Sequence, residues 1–167
     1  MQRDSNLEDE VEDVESTRTL LDIAIIPFEP VTTGSGKDKP EKEGKLRKAI
    51  LEAATGQDIE QLRSKMKGRL VSITVGFFLW KGSPSVTNTR PVKDLDNLMK
   101  ILFDVLGPGP QGLGLLEEDS YICEVYAKKE LVDEKTDEGY RVLVEEYEDQ
   151  DMLRLLEKFH AKKSEKA

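Results

Sequence analysis

Between residues 93 and 106 the chain reads KDLDNLMKILFDVL, which places two carboxylates (Asp94, Asp96), an amide (Asn97) and a lysine (Lys100) within a few residues of one another. Leu95, Leu98, Met99, Leu102 and Leu106 recur at helical spacing and predict an amphipathic helix over residues 94–106, with Asp94 near its N-cap. Asp96, Lys100 and Asp104 are four residues apart in turn and share the polar face of that helix. A short loop later come Glu117, Glu118 and Asp119. Acids at a helix start, joined by another from a different element, can hold a divalent cation through oxygen. A lysine one turn along can orient a water or offset charge on a phosphate. The same residues also have a plain structural reading. Asp94 could simply cap the helix, Asp96 complement its dipole, and Asp96 and Lys100 form a surface pair. Spacing alone favours the structural reading, because acids at their N-termini are what helices prefer.

The elements that must position these groups follow from the rest of the chain. Residues 20–28 read as a first buried strand, closed by Pro27 and Pro30. Residues 31–44 read as a polar loop; its TGSGK text lacks the full Walker spacing and no helix is expected directly after it, so it is not taken as a phosphate loop. Residues 45–67 form a helix, or two short ones broken near Thr55 and Gly56. Residues 69–81, RLVSITVGFFLWK, are the strongest strand, with aromatics suited to core or subunit interface. After the acidic helix, GPGPQGLG is a helix stop and tight connection. Residues 115–131 then open with the acids and continue as a strand, which a turn over 132–139 and a strand over 140–147 complete as a hairpin. Residues 149–163 suggest a final helix carrying Met152, Leu153, Leu156 and Phe159 on one side. The expected fold is α+β, a mixed β-sheet with helices packed against it. Its domain spans residues 18–148, between an acidic disordered arm (1–17) and a C-terminal helix with a lysine-rich tail (149–167).

Composition narrows the chemistry. The 167 residues suffice for one domain with a real core. No apolar run is long enough for a membrane span, and the acidic start is not a secretory signal. The single cysteine, Cys123, excludes an intramolecular disulfide framework and is expected to pack on an apolar strand face. The single histidine, His160, lies in the lysine-rich tail, which leaves the usual zinc sites without ligands. Any metal must then be a hard ion on carboxylates, with Mg²⁺ or Mn²⁺ fitting best. The net charge of −9 gives DNA binding no support, but the first 17 residues hold seven acids against one arginine. The densest basic region, including Arg63, Lys65, Lys67 and Arg69, is the candidate phosphate-tracking surface, and Lys81, Arg90 and Lys93 stand beside the acidic helix.

The text DLDNLMKILFDVLG, followed by GLLEEDSYICEV, resembles the signature of the RusA-type Holliday-junction resolvases. That family carries a DxDNxxK helix and then a glycine, two apolar residues and an acidic pair before the next strand. Here those elements read Asp94, Asp96, Asn97, Lys100 and Asp104, then Gly114, Leu115, Leu116, Glu118, Asp119 and Ser120. The likeness in element order covers residues 69–147, and Glu118 stands where the family usually has aspartate. The resemblance implies metal-binding acids at Asp94, Asp96 and Asp119 and a catalytic lysine at Lys100. It further implies a Mg²⁺-dependent endodeoxyribonuclease (Mn²⁺ substituting) that acts as a homodimer on branched DNA. Such an enzyme would serve recombination and repair inside the cell, in cytoplasm or nucleus. Packing of the acidic helix on the sheet is expected to bring the three acids together on one cation. Two other readings stand beside this one. The fold could serve as a catalytically inactive DNA-binding or protein-interaction module, which the acidic balance favours. An Asp-x-Asp metal site of a nucleotide-sugar transferase is the other, in a chain short for it and without a nucleotide-binding strand–loop–helix.

Overall fold

Along residues 71–80 the side chains of Val71, Ile73, Val75, Phe77 and Leu79 are buried almost completely, and every second residue between them is more open, apart from Gly76. That alternation is what a strand covered on one face produces. The computed structural model describes residues 19–32, 37–84, 86–87, 90–91 and 93–147. The acidic arm and the helix expected over 149–163 lie outside these residues.

In chain order the elements are β1 (Thr19–Ile25), α1 (Lys39–Ala53), α2 (Ile59–Met66), β2 (Val71–Trp80), β3 (Val86–Thr87) and β4 (Arg90–Pro91), followed by α3 (Leu95–Leu106), β5 (Ile122–Val132) and β6 (Gly139–Glu146). The main sheet has the order β1-β6-β2-β5, and β3 and β4 form a separate small ribbon. The class is α+β with a mixed sheet, as the pattern of elements predicts.

One boundary differs from the sequence reading, and one expected break is found. The first helix begins at Lys39, because Pro40 sits at its first positions, where a missing N–H costs nothing. It therefore does follow the glycine–lysine stretch, although the Walker spacing is still absent. The break in the basic helical region is real: α1 ends at Ala53 and α2 restarts with Asp58 as its cap, whose side chain accepts from the Glu60 N–H at 3.1 Å.

The expected hairpin of the last two strands does not form. β5 pairs in parallel with β2, while β6 crosses over to lie antiparallel between β2 and β1. The reason lies in burial. Tyr140, Val142 and Val144 of β6 are fully buried, whereas β5 is exposed along most of its length. The more apolar strand takes the central position and the charged one the edge. Gly139 makes the crossing possible, since a Cβ there would stand 2.1 Å from the carbonyl oxygen of Ile25.

β2, α3 and β5 thus make a β–α–β unit, with α3 returning antiparallel to its two parallel strands. Leu98, Ile101, Leu102, Val105 and Leu106 of α3 are completely buried and join Val71, Ile73, Val75 and Phe77 of β2 in one core. Cys123, expected to pack, is exposed, because it lies on the edge strand. Among the described residues no helix is long and apolar enough to cross a membrane.

Candidate functional site

The start of α3 is held by backbone contacts from two sides. Lys129 of β5 donates from Nζ to the carbonyl of Lys93 at 2.8 Å. Lys93, its side chain only 14% exposed, reaches Glu29 at 3.0 Å and the carbonyl of Pro30. Asp94 occupies the N-cap position in extended conformation, and its carbonyl accepts the first helical bond from Leu98 at 3.1 Å. Its side chain, however, makes no capping hydrogen bond. A carboxylate at an N-cap ordinarily accepts from the second or third helical N–H. Here it stays exposed beside Asp96, which is exposed as well. Lys100 is also exposed, and among the described residues no ion pair joins it to Asp96. The cap bond and the surface pair of the plain structural reading are therefore not made, while Asp96, in the first turn of α3, still complements the helix dipole.

The other acids gather at the opposite end of α3. The loop after Leu106 folds back beneath the helix end, where Leu113 N–H bonds the Val105 carbonyl at 2.7 Å and Leu115 and Leu116 bond that of Leu106 at 2.9 Å. Burial of Leu113, Leu115 and Leu116 pins this turn. The close passage of Gly112 over the Gly107 carbonyl, where a Cβ would sit 2.0 Å away, leaves no room for a side chain. Glu117, Glu118 and Asp119 emerge beside Asp104, Lys39 and Glu43, around an open cavity of about 390 Å³. Lys39 lies 2.9 Å from Asp104 and 3.4 Å from Glu43. Its hydrogen bond to Asp104 holds the ammonium above the usual lysine range, against the smaller opposing effect of desolvation.

The structure thus groups Asp119 with Asp104, Glu117 and Glu118, and leaves Asp94 and Asp96 apart from them. The twelve residues of α3 span about 18 Å at the helical rise. Ligands of one magnesium ion must each stand about 2 Å from it. The expected convergence of Asp94, Asp96 and Asp119 within one chain does not occur. The topology explains why: α3 runs back along the sheet, so its first residue and the entrance of the next parallel strand fall at opposite ends. Among the described residues no group of three His, Cys, Asp or Glu side chains is placed to hold a metal ion.

Several of the expected DNA contacts have other partners. Arg63 donates to the Leu113 carbonyl at 2.7 Å and pairs with Glu60, so it braces the turn under α3. Arg69 pairs with Glu146 at 2.7 Å, and Lys81 with Asp133. Lys93 is committed to Glu29 and Pro30. Lys65 and Lys67 are exposed and carry no ion pair among the described residues. Arg90 contributes backbone to β4, and its side chain lies outside the description. Sequence reasoning overlooked Lys129 and Lys39. Their signal was there, as long cations on the strand and helix flanking the acids, but only tertiary pairing reveals it.

Compared with known proteins, the chain matches no family model and aligns significantly with no characterised protein.

Proposed function

We propose that the chain is a metal-dependent, structure-selective endodeoxyribonuclease of the RusA type, acting as a homodimer on four-way DNA junctions. The observation that carries this reading is the pair of exposed carboxylates, Asp94 and Asp96, on a helix start whose cap bond is left unmade while Lys129 and Lys93 brace the backbone beneath it. Because the acids lie at the two ends of α3, the reading requires a site shared between two chains. Asp94 and Asp96 come from one protomer, and Asp119 of the partner subunit completes the oxygen set. Such an all-oxygen set fits Mg²⁺ or Mn²⁺. The ion, when bound, would polarise the scissile phosphate and lower the pKa of an attacking water. Lys100, one turn beyond Asp96, offsets the negative charge that builds on the phosphate.

A specific observation favours a second reading, a non-cutting module of the same fold. Arg63, Arg69, Lys81 and Lys93 are all tied to acids or carbonyls, which leaves a thin basic surface for DNA. One experiment separates the two. With Mg²⁺ or Mn²⁺ the protein should nick a synthetic four-way junction symmetrically, and Asp94→Asn should abolish cutting while junction binding survives. Junction binding with no cutting in either metal would establish the module instead.

A further inference from the structure

We propose that β5 is a dimerisation strand, pairing antiparallel with β5 of a second copy about a two-fold axis through Tyr126. The strand is eleven residues long and stands at one edge of the sheet, with β2 on its inner side and no neighbour on its outer side among the described residues. A long, unpaired edge offers a row of N–H and C=O groups to another strand. Tyr126 is 62% exposed and Val125 is 44% exposed. They point to opposite faces of the strand, so no single packing partner on one face would cover both. Pairing at the edge covers both.

The occupant is chosen by the charge pattern, Glu124-Val-Tyr126-Ala-Lys128. With the axis at Tyr126, Glu124 lies opposite Lys128 of the partner subunit, and Lys128 lies opposite Glu124 of the partner subunit. Tyr126 then meets Tyr126 of the partner subunit on the open face, and Val125 meets Ala127 of the partner subunit on the other. Opposite charges directly across an antiparallel pair stabilise it, and like charges oppose it. Moving the axis to Ala127 would set Glu124 against Glu130 twice, and moving it to Glu124 or Lys128 would set that residue against itself. An axis at Val125 leaves the charges without partners. An axis at Lys129 would pair Lys128 with Glu130 of the partner subunit but set Lys129 against itself, so the Tyr126 axis is the one that pairs opposite charges without opposing like ones. Lys128 already lies 3.0 Å from Glu130 of its own strand; the partner's carboxylate would flank it from the other side.

The pairing stands without the nuclease reading, but it bears on it. In this register Cys123 of the partner subunit faces Lys129, the residue that holds the carbonyl before Asp94. The partner's β5 therefore begins at the end of the sheet where α3 starts, the end at which the proposed site needs Asp119 of the partner subunit. This last consequence rests on the proposed function.

The test uses full-length protein without DNA or metal, so its outcome is independent of activity. Sedimentation equilibrium should show a dimer, weakened about tenfold or more by Lys128→Glu and restored when Glu124→Lys is added. In a Cys123→Ser background, Tyr126→Cys should give a covalent dimer under mild oxidation, because directly opposed residues lie within disulfide reach. Lys128→Cys in the same background should not, being displaced by four residues from its own copy. A monomeric wild type, a dimer indifferent to Lys128→Glu, or faster crosslinking at residue 128 than at 126 would each overturn the proposal. A dimer of this kind that cuts no junction would leave the interface standing and remove the nuclease.

Discussion

Lys129 and Lys93, two like-charged residues on different elements, meet through a hydrogen bond in which the Lys129 ammonium donates to the Lys93 carbonyl at 2.8 Å. The contact ties the edge strand to the residue just before Asp94. It fixes the height of α3 against β5, and with it the direction in which Asp94 and Asp96 project. Lys129→Met should keep the aliphatic packing and lose the bond. A charged donor to a carbonyl is worth about 1.5–3 kcal/mol at most, and partial exposure places this one nearer 1 kcal/mol. Urea denaturation should show that modest loss, and hydrogen exchange at the Leu98 amide should quicken more than exchange in β2. Equal quickening everywhere would mean that the bond does not act locally on the helix start.

Asp94→Asn separates a structural role from a chemical one. The Asp94 side chain makes no cap bond, so its replacement should change stability by less than about 0.5 kcal/mol, where loss of a working cap costs about 1 kcal/mol. Under the proposed function the same change should abolish junction cutting. A stability loss as large as that of a true cap, measured by thermal or urea unfolding, would return Asp94 to the role of an ordinary helix terminator.

Local signals reported most of this fold, and long-range competition supplied the rest. The buried alternation of β2 and the apolar stripe of α3 are periodicities readable within a dozen residues, and both elements lie where that pattern puts them. The break between α1 and α2 was visible at Thr55 and Gly56. The pairing of β5 and β6 was not visible, because adjacency in sequence favours a hairpin and only the relative burial of two complete strands decides which of them becomes central. The same limit applied to the acids. Helix periodicity places Asp94 and Asp96 together, but the distance to Asp119 depends on the direction in which α3 crosses the sheet. That direction follows from the parallel pairing of β2 with β5.

Tyr140 should make the stability of the fold fall at alkaline pH. Its ring packs edge-on against Phe77 at 5.4 Å, and its hydroxyl accepts from the Val31 N–H at 2.8 Å. Burial raises its pKa well above the ordinary value of 10.0, partly opposed by that backbone bond. Since the folded-state pKa is the higher one, the stabilisation is fully present below the unfolded value and is lost as pH rises through it towards the folded one. Tyr140→Phe should therefore flatten the fall in stability above pH 10.0. At neutral pH it should cost about 1–2 kcal/mol, because the part-buried Val31 N–H loses its acceptor. Guanidinium unfolding of both proteins from neutrality upward checks the sign, and parallel pH curves would assign the alkaline loss to other groups.

The acidic arm bears on affinity through charge alone. Seven acids against one arginine in the first 17 residues supply most of the net charge of −9. Phosphate binding is driven by cations that displace condensed counterions, and an attached block of like charge opposes that approach. Deleting residues 1–17 should tighten binding to a four-way junction, most at low salt and least near about 0.5 M, where screening acts within a few ångströms. Fluorescence anisotropy at two ionic strengths measures both the gain and its salt dependence. If the truncated protein binds no more tightly at low salt, the arm does not compete with DNA. The weight of the acidic balance then falls on residues 117–119 and 130–147, where Lys81, Arg69 and Lys128 already answer some of those acids.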